Sequence, residues 1–218
     1  MPTQQFAVIG LGRFGSSVAK TLVEMGYEVL GIDKSGEKIQ QLADEVTYVV
    51  QANATDPETL KEIGIPEFDV VVVAIGEDIQ ASIMITLILK EQGVQRVIAK
   101  ALNVLHGKVL ERVGADRIVY PERDMGERVA KSLAGLHILD YFELDPDTSI
   151  VELIAPKELI GKTLRELDLR KEYGVNVVCV KKGSEMDLLP EATTTIEEGD
   201  VLVLSGKNEQ LDKLERMK

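Results

Sequence analysis

The residues with the clearest chemistry stand near the N-terminus, in a Gly-x-Gly-x-x-Gly turn. A short apolar run, 6–9, precedes Gly10, Gly12 and Gly15, and a helical pattern follows at once. In such a turn the first glycine allows a tight bend, the second lets a phosphate approach the backbone, and the third lets helix and strand pack closely. The following helix N-terminus offers free N–H groups and a partial positive charge. The pattern predicts a phosphate-binding site.

An acidic residue completes this motif. Asp33 follows a second apolar run and stands 18 residues past Gly15. Its carboxylate can accept hydrogen bonds from ribose hydroxyls, as in a mononucleotide-binding βαβ unit. We therefore expect an adenine nucleotide to bind here, with a purely structural turn as the alternative. Phe14 and Lys34 flank the motif residues and belong to the predicted site.

Arg13 lies inside the glycine turn. A guanidinium beside the phosphate cradle suits a ligand with more negative charge than a bridging pyrophosphate. This residue favours ATP or ADP, and a solvated arginine is the alternative.

Further candidates follow the ends of later predicted strands, because open parallel sheets bind ligands at the carboxyl edge. They are Asn53, Ala54, Thr55, Ala74, Ile75, Gly76 and Lys100. Gly76 suits either a plain turn or close approach of the backbone to an adenine or ribose. Lys100 either faces phosphate or is a solvated strand-end lysine.

Glu122 opens a predicted helix at the end of the sixth predicted strand. A carboxylate near phosphates is unfavourable unless a cation lies between them, so Glu122 suggests a divalent-metal site. The alternative is a charge that caps the helix.

Apolar runs that alternate with helical patterns predict the elements that position these residues. Over residues 1–124 they indicate an α/β domain with a Rossmann-like, doubly wound parallel sheet. A helix from Pro121 to about Leu136 follows, and we assign 125–139 as a crossover helix or linker. Residues 140–218 predict a small α+β domain of βαβ-like pieces. Its predicted elements are a turn at 145–147, strands over 149–155, 175–180 and 200–204, and helices over 161–170 and 208–217.

Composition excludes several classes of protein. The net charge of the 218 residues is −12 and no basic run is visible, which argues against nucleic acid and anionic lipid as the main partner. The single cysteine, Cys179, fits a reducing cytosol, and we see neither a signal peptide nor a run long enough to span a bilayer.

Little catalytic machinery is visible. His106 and His137 are the only histidines, both fall in helical patterns, and no Cys/His cluster has zinc spacing. A nucleotide site without an evident reaction indicates a sensor rather than an enzyme. The alternatives are a small NAD(P)-dependent oxidoreductase and a redox-sensing transcription regulator, although the latter would need a basic DNA-reading module.

The chain resembles the cytosolic regulatory subunits of Ktr/Trk-type potassium uptake systems, and the Ktr type in particular. Those subunits consist of an RCK (TrkA-N) domain and a smaller TrkA-C domain. The segments that carry the resemblance extend over nearly the whole chain: 6–15, 53–55, 74–76, 114–118, 121–126, 158–164 and 199–200.

The resemblance implies a homo-octameric ring built from dimers. Such a ring docks on a membrane potassium-translocating subunit at the inner face of the cell membrane and gates it, with ATP favouring an active shape and ADP an inactive one. NAD(H) is an alternative occupant of the nucleotide site.

The resemblance also implies roles for particular residues. Arg13 would contact the terminal phosphate, and Asp33 would hold the ribose. Glu122 would share Mg²⁺, Ca²⁺ or Na⁺ with its counterpart across the dimer. The C-terminal domain would bind cyclic di-AMP at a dimer interface, and the matching positions are Arg170, Asn176 and Pro190.

Overall fold

The structure is a computed structural model that describes residues 4–134 and 138–217. The chain forms two compact units, one ending at Pro121 and one beginning at Glu122. Leu136 and His137, which the sequence places in the crossover segment, lie outside the described residues. Within the described ranges, no helix is both long and apolar enough to cross a membrane.

The first unit alternates strands and helices along the chain. Its strands are β1 (Phe6–Ile9), β2 (Val29–Asp33), β3 (Tyr48–Gln51), β4 (Val70–Val73), β5 (Arg96–Lys100) and β6 (Arg117–Val119). Its helices are α1 (Arg13–Glu24), α2 (Gly36–Leu42), α3 (Pro57–Glu62), α4 (Ile79–Glu91) and α5 (Val104–Arg112). The strands form one parallel sheet in the order β3-β2-β1-β4-β5-β6. This order, which reverses between β1 and β4, confirms the predicted doubly wound fold.

Helices cover both faces of this sheet. Ile9 of β1 packs in one apolar core while its neighbour Val8 packs in the other. All four valines of β4 are buried, which is why this strand lacks the alternation of polar residues seen in one-sided sheets. Burial on both faces fixes the strand ends, and these carry the candidate site residues.

The second unit contains an antiparallel sheet. It comprises α6 (Pro121–Ala134, whose first residue ends the first unit), β7 (Ile138–Asp145), β8 (Thr148–Ile154), α7 (Leu164–Leu167), α8 (Leu169–Glu172), β9 (Asn176–Lys182), β10 (Glu185–Asp187), β11 (Val201–Lys207) and α9 (Asn208–Glu215). The strand order is β10-β9-β11-β8-β7, and every pair is antiparallel. The α+β prediction is confirmed, but the predicted βαβ-like pieces are wrong because no strand of this sheet pairs in parallel.

Two strands escaped the sequence analysis for a physical reason. β7 and β10 lie at the two edges of the sheet, and most of their residues are exposed. β10 consists of three exposed residues, and the apolar residues of β7 do not alternate regularly with polar ones, so neither strand shows the period-two pattern of a half-buried strand. The helix predicted over 161–170 is also divided in two, because Asp168 adopts a left-handed conformation with φ 36° between α7 and α8.

Candidate nucleotide-binding site

Two of the three motif glycines have no room for a side chain. A Cβ atom on Gly10, whose φ is 95°, would lie 2.8 Å from Cγ1 of Ile75. A Cβ on Gly15 would lie 1.9 Å from the carbonyl oxygen of Gly10. These two glycines therefore let the turn, α1 and the residues after β4 pack closely together.

Gly12 differs from the other two glycines because the space beside it is open. A Cβ atom built on Gly12 would meet nothing within 4 Å. Gly12 is the N-cap of α1, and no side chain caps this helix start. Backbone N–H groups at a helix start bind anions, and the helix dipole favours negative charge there. The residues present thus fit a phosphate group.

Asp33 lies beside this turn at the carboxyl end of β2 and is 7% exposed. Its Oδ2 accepts hydrogen bonds from the Leu11 N–H at 2.7 Å and from Nζ of Lys38 at 2.9 Å. Its Oδ1 accepts from the Ser35 N–H at 2.9 Å. The acidic residue of the motif is therefore held in one orientation next to the glycine turn.

The same donors keep this carboxylate charged. Burial by itself raises the pKa of Asp33, but the hydrogen bonds from Ser35, Lys38 and Leu11 together outweigh it, and the pKa lies below its ordinary value. At neutral pH Asp33 is an acceptor only, as recognition of ribose hydroxyls requires.

Lys100 and Phe14 line the edge on the other side of the turn. The Lys100 side chain lies across Gly76, with Nζ 3.3 Å from the position that a Cβ of Gly76 would occupy. The same Nζ lies 5.8 Å from the centre of the Phe14 ring in the first turn of α1. Lys100 is only 9% exposed, so the alternative of a solvated strand-end lysine is wrong.

The remaining predicted residues lie along the same carboxyl edge. Asn53 follows β3, and its Oδ1 accepts hydrogen bonds from the N–H and hydroxyl of Thr55. Ala54 between them is buried in the core. Ala74 and Ile75 directly follow β4 and close over Gly10. Arg13 and Lys34 are exposed.

Sequence reasoning missed Lys38. It stands in α2, five residues after Asp33, and its ammonium pairs with the carboxylate. A basic residue in the helix that follows the acid is the signal that could have revealed it, because that helix begins beside the strand end.

In the second unit, the three residues expected to contact cyclic di-AMP lie around one cavity. Arg170, Asn176 and Pro190 line a space of about 590 Å³, together with Arg165 and Asp168. The cavity combines guanidinium and amide donors with apolar walls, as sites for flat, anionic ligands do.

Glu122 is an exposed residue in the first turn of α6. Across residues 4–134 and 138–217, no three histidine, cysteine or acidic side chains group together as metal ligands.

Comparison with known proteins identifies the class. Residues 6–121 match the TrkA-N domain, and residues 149–218 match the TrkA-C domain. The chain is 46% identical to Ktr system potassium uptake protein C of Bacillus subtilis over 213 residues, which cover 98% of this chain and 96% of the relative. It is 44% identical to Ktr system potassium uptake protein A of the same organism, with 97% and 96% covered.

Solved structures show the same fold. The GsuK channel superposes with a TM-score of 0.71 at 19% identity, covering 98% of this chain and 39% of the channel chain. The TrkA-N domain of the Escherichia coli inner membrane protein ybaL superposes with a TM-score of 0.54 at 18% identity, covering 59% of this chain and 96% of that domain.

The chain belongs to the Ktr/Trk family of potassium uptake regulatory subunits, with a TrkA-N and a TrkA-C domain. The nearly complete coverage in both directions extends this conclusion to the whole chain. These relatives are potassium uptake proteins rather than oxidoreductases or transcription regulators.

Proposed function

We propose that this regulatory subunit binds ATP and ADP in its TrkA-N domain and gates a membrane potassium-translocating subunit according to which nucleotide is bound. The observation that carries the proposal is the open, uncapped start of α1 at Gly12 beside the buried carboxylate of Asp33. The carboxyl edge of the sheet thus offers N–H donors for phosphates beside an acceptor for ribose. NAD(H) is the competing ligand, since a glycine turn followed by an acidic residue also suits a dinucleotide.

The gating mechanism is a population shift. A ligand moves a conformational equilibrium only by its difference in affinity for the two shapes. We propose that Arg13, exposed at the first residue of α1, contacts the terminal phosphate in the active shape only. ADP lacks the γ-phosphate and would leave that contact unmade, so it would favour the inactive shape.

The proposed octameric ring needs surfaces that bind further copies of the chain. α4 and α5 contact each other, and large apolar side chains on these two helices and just before α5 are exposed. These residues are Met84, Leu87, Leu102, Val104 and Leu105. Clustered exposed apolar residues mark interaction sites, which supports one subunit contact here.

α6 supports a second contact. Met125, Val129 and Leu133 are spaced four residues apart, so they form one stripe along the helix, and all three are exposed. Arg128 pairs with Asp140 of β7 and ties the helix to the sheet without covering the stripe. We propose that this stripe packs against its counterpart in a dimer, since the same patch serves both partners of a two-fold contact.

Two further ligands belong to the proposal. Glu122 would share Mg²⁺, Ca²⁺ or Na⁺ with its counterpart in the dimer, because carboxylate oxygens are the ligands that these cations prefer. Cyclic di-AMP would bind in the cavity lined by Arg170, Asn176 and Pro190, whose donors and apolar walls suit phosphates and bases. The subunit would act in the cytoplasm, held at the membrane by its translocating partner.

Potassium flux into vesicles that contain the translocating subunit tests this function. With the purified chain added, ATP should increase the flux and ADP should decrease it. Equal flux with ATP, ADP and no nucleotide would overturn the proposal, and a preference for NADH would replace the proposed ligand.

A further inference from the structure

Lys38 forms an ion pair with Asp33, the carboxylate proposed to bind the ribose. Its Nζ lies 2.9 Å from Oδ2. The two partners differ in their freedom: the Lys38 side chain is 42% exposed, whereas that of Asp33 is 5% exposed. The lysine is therefore the movable member of the pair.

Asp33 has too few acceptor sites for both Lys38 and the two hydroxyls of a ribose. A carboxylate offers about four lone-pair sites, and three donors already use Asp33: the Leu11 N–H, the Ser35 N–H and the Lys38 ammonium. A ribose with both 2′- and 3′-hydroxyls brings two donors to the single site that is left. One of the three present donors has to leave before both hydroxyls can bind.

The three donors to Asp33 differ in how easily they can move away. The N–H groups of Leu11 and Ser35 belong to the glycine turn and to the start of α2, so their removal requires movement of the backbone. Lys38 needs only a rotation of a long, half-exposed side chain, which places its ammonium in solvent without moving the backbone.

We infer that Lys38 competes with the ribose hydroxyls for Asp33 and thereby sets how strongly the site prefers a ribose with two hydroxyls. The inference rests on the proposed nucleotide function. On binding, the 2′- or 3′-hydroxyl donates its hydrogen to Oδ2 in place of the ammonium, which moves into solvent. A ribose with one hydroxyl fits the free acceptor and leaves Lys38 in place.

Substitution of Lys38 should change nucleotide affinity in the opposite direction from substitution of an ordinary phosphate-binding lysine. Removing a lysine that attracts the ligand weakens binding of every nucleotide equally. Removing a competitor strengthens binding of ATP more than of 2′-deoxy-ATP. The ratio of the two dissociation constants separates these roles, because any general effect of charge on the triphosphate cancels in the ratio.

The test is calorimetric titration of the full chain with ATP and with 2′-deoxy-ATP. In Lys38→Met the ratio of the deoxy to the ribo dissociation constant should rise roughly two- to fivefold, the range expected from a half-exposed ion pair. Lys38→Arg keeps the cation and should keep the wild-type ratio. The matched control is Lys20→Met, which removes another part-exposed, paired lysine, bound to Glu45, and should change nothing.

An unchanged or lower ratio in Lys38→Met would overturn this inference and leave the proposed function intact. Failure of the wild-type chain to bind either nucleotide would overturn both. Thermal unfolding of each variant without nucleotide measures any change in folding, and the ratio of the two dissociation constants, in which such a change cancels, separates it from the effect on the ligand.

Discussion

The amide of Leu11 donates a 2.7 Å hydrogen bond to Oδ2 of Asp33, and this bond joins two segments 22 residues apart in sequence. It links the glycine turn to the end of β2. The bond therefore fixes the N–H groups proposed to bind phosphate relative to the carboxylate proposed to bind ribose, so a nucleotide that contacts one of them would be aligned for the other.

Substitution of the motif glycines separates binding from folding. Gly12→Ala should fold, because the added Cβ meets nothing within 4 Å, and should lose less than about 1 kcal/mol in the free energy of unfolding. The methyl group should weaken ATP binding roughly tenfold or more, because it occupies the space of the ligand.

Gly15→Ala should instead lose about 3 kcal/mol in the free energy of unfolding, since its Cβ would lie 1.9 Å from the Gly10 carbonyl oxygen. Urea unfolding and calorimetry check both values, and wild-type ATP affinity in Gly12→Ala would contradict the proposed phosphate position.

Arg13 tests discrimination between the two nucleotides. Arg13→Ala should weaken ATP about tenfold and ADP by less than about twofold, the loss of one charge-assisted contact to the terminal phosphate. The control is Arg112→Ala, which removes an arginine from the last turn of α5. Competition titration measures both ligands, and an equal loss for ATP and ADP would refute the assigned role.

Much of this site is predictable from the sequence because its signals are local. The spacing of Gly10, Gly12 and Gly15 before a helical pattern predicts both the turn and the start of the helix. The contact of Lys38 with Asp33 depends on where α2 begins relative to the end of β2. The spacing of apolar residues along the sequence does not predict this position. The burial of Lys100 likewise depends on its position over Gly76.

The second domain was harder to predict for a different reason. β7 lies at the edge of the sheet and its apolar residues do not alternate regularly with polar ones, so the period-two pattern of a half-buried strand is missing. The break between α7 and α8 depends on the left-handed backbone of Asp168. Residues other than glycine rarely adopt this conformation, so the sequence does not predict it here.

His106 predicts a pH dependence of stability. The imidazole is 3% exposed, and its Nδ1 accepts a hydrogen bond from the Leu102 N–H at 3.2 Å. Burial lowers the pKa of His106 below its ordinary value of 6.5. Below pH 6.5 the unfolded chain therefore binds more protons at this residue than the folded chain does. Stability contributed by neutral His106 is complete above that pH and is lost as the pH falls towards the folded pKa.

Urea unfolding between about pH 7 and pH 5 measures this loss, whose slope is at most about 1.4 kcal/mol per pH unit for one group. Asp33 and Asp116 have pKa values lowered below 3.8, so these carboxylates do not contribute to the pH dependence of stability between pH 7 and pH 5. His106→Gln should remove the slope. A slope unchanged in His106→Gln would contradict the assignment.

The cavity of the second unit makes a separate prediction. Arg170→Ala should weaken cyclic di-AMP binding about tenfold or more, because a charged donor to phosphate is lost. It should leave ATP binding unchanged, since Arg170 belongs to the unit that begins at Glu122. Arg216→Ala, an exposed arginine just after α9, is the control. Cyclic di-AMP binding that survives in Arg170→Ala would place the ligand elsewhere.

Calorimetric titration of the purified chain with ATP, ADP and NADH, each with and without Mg²⁺, tests the central claim most directly. We expect ATP and ADP both to bind and Mg²⁺ to strengthen the binding of ATP alone, because in the proposed mechanism only the γ-phosphate and its cation distinguish the active shape. Binding of NADH in preference to both nucleotides, with no effect of Mg²⁺, would contradict the proposed function.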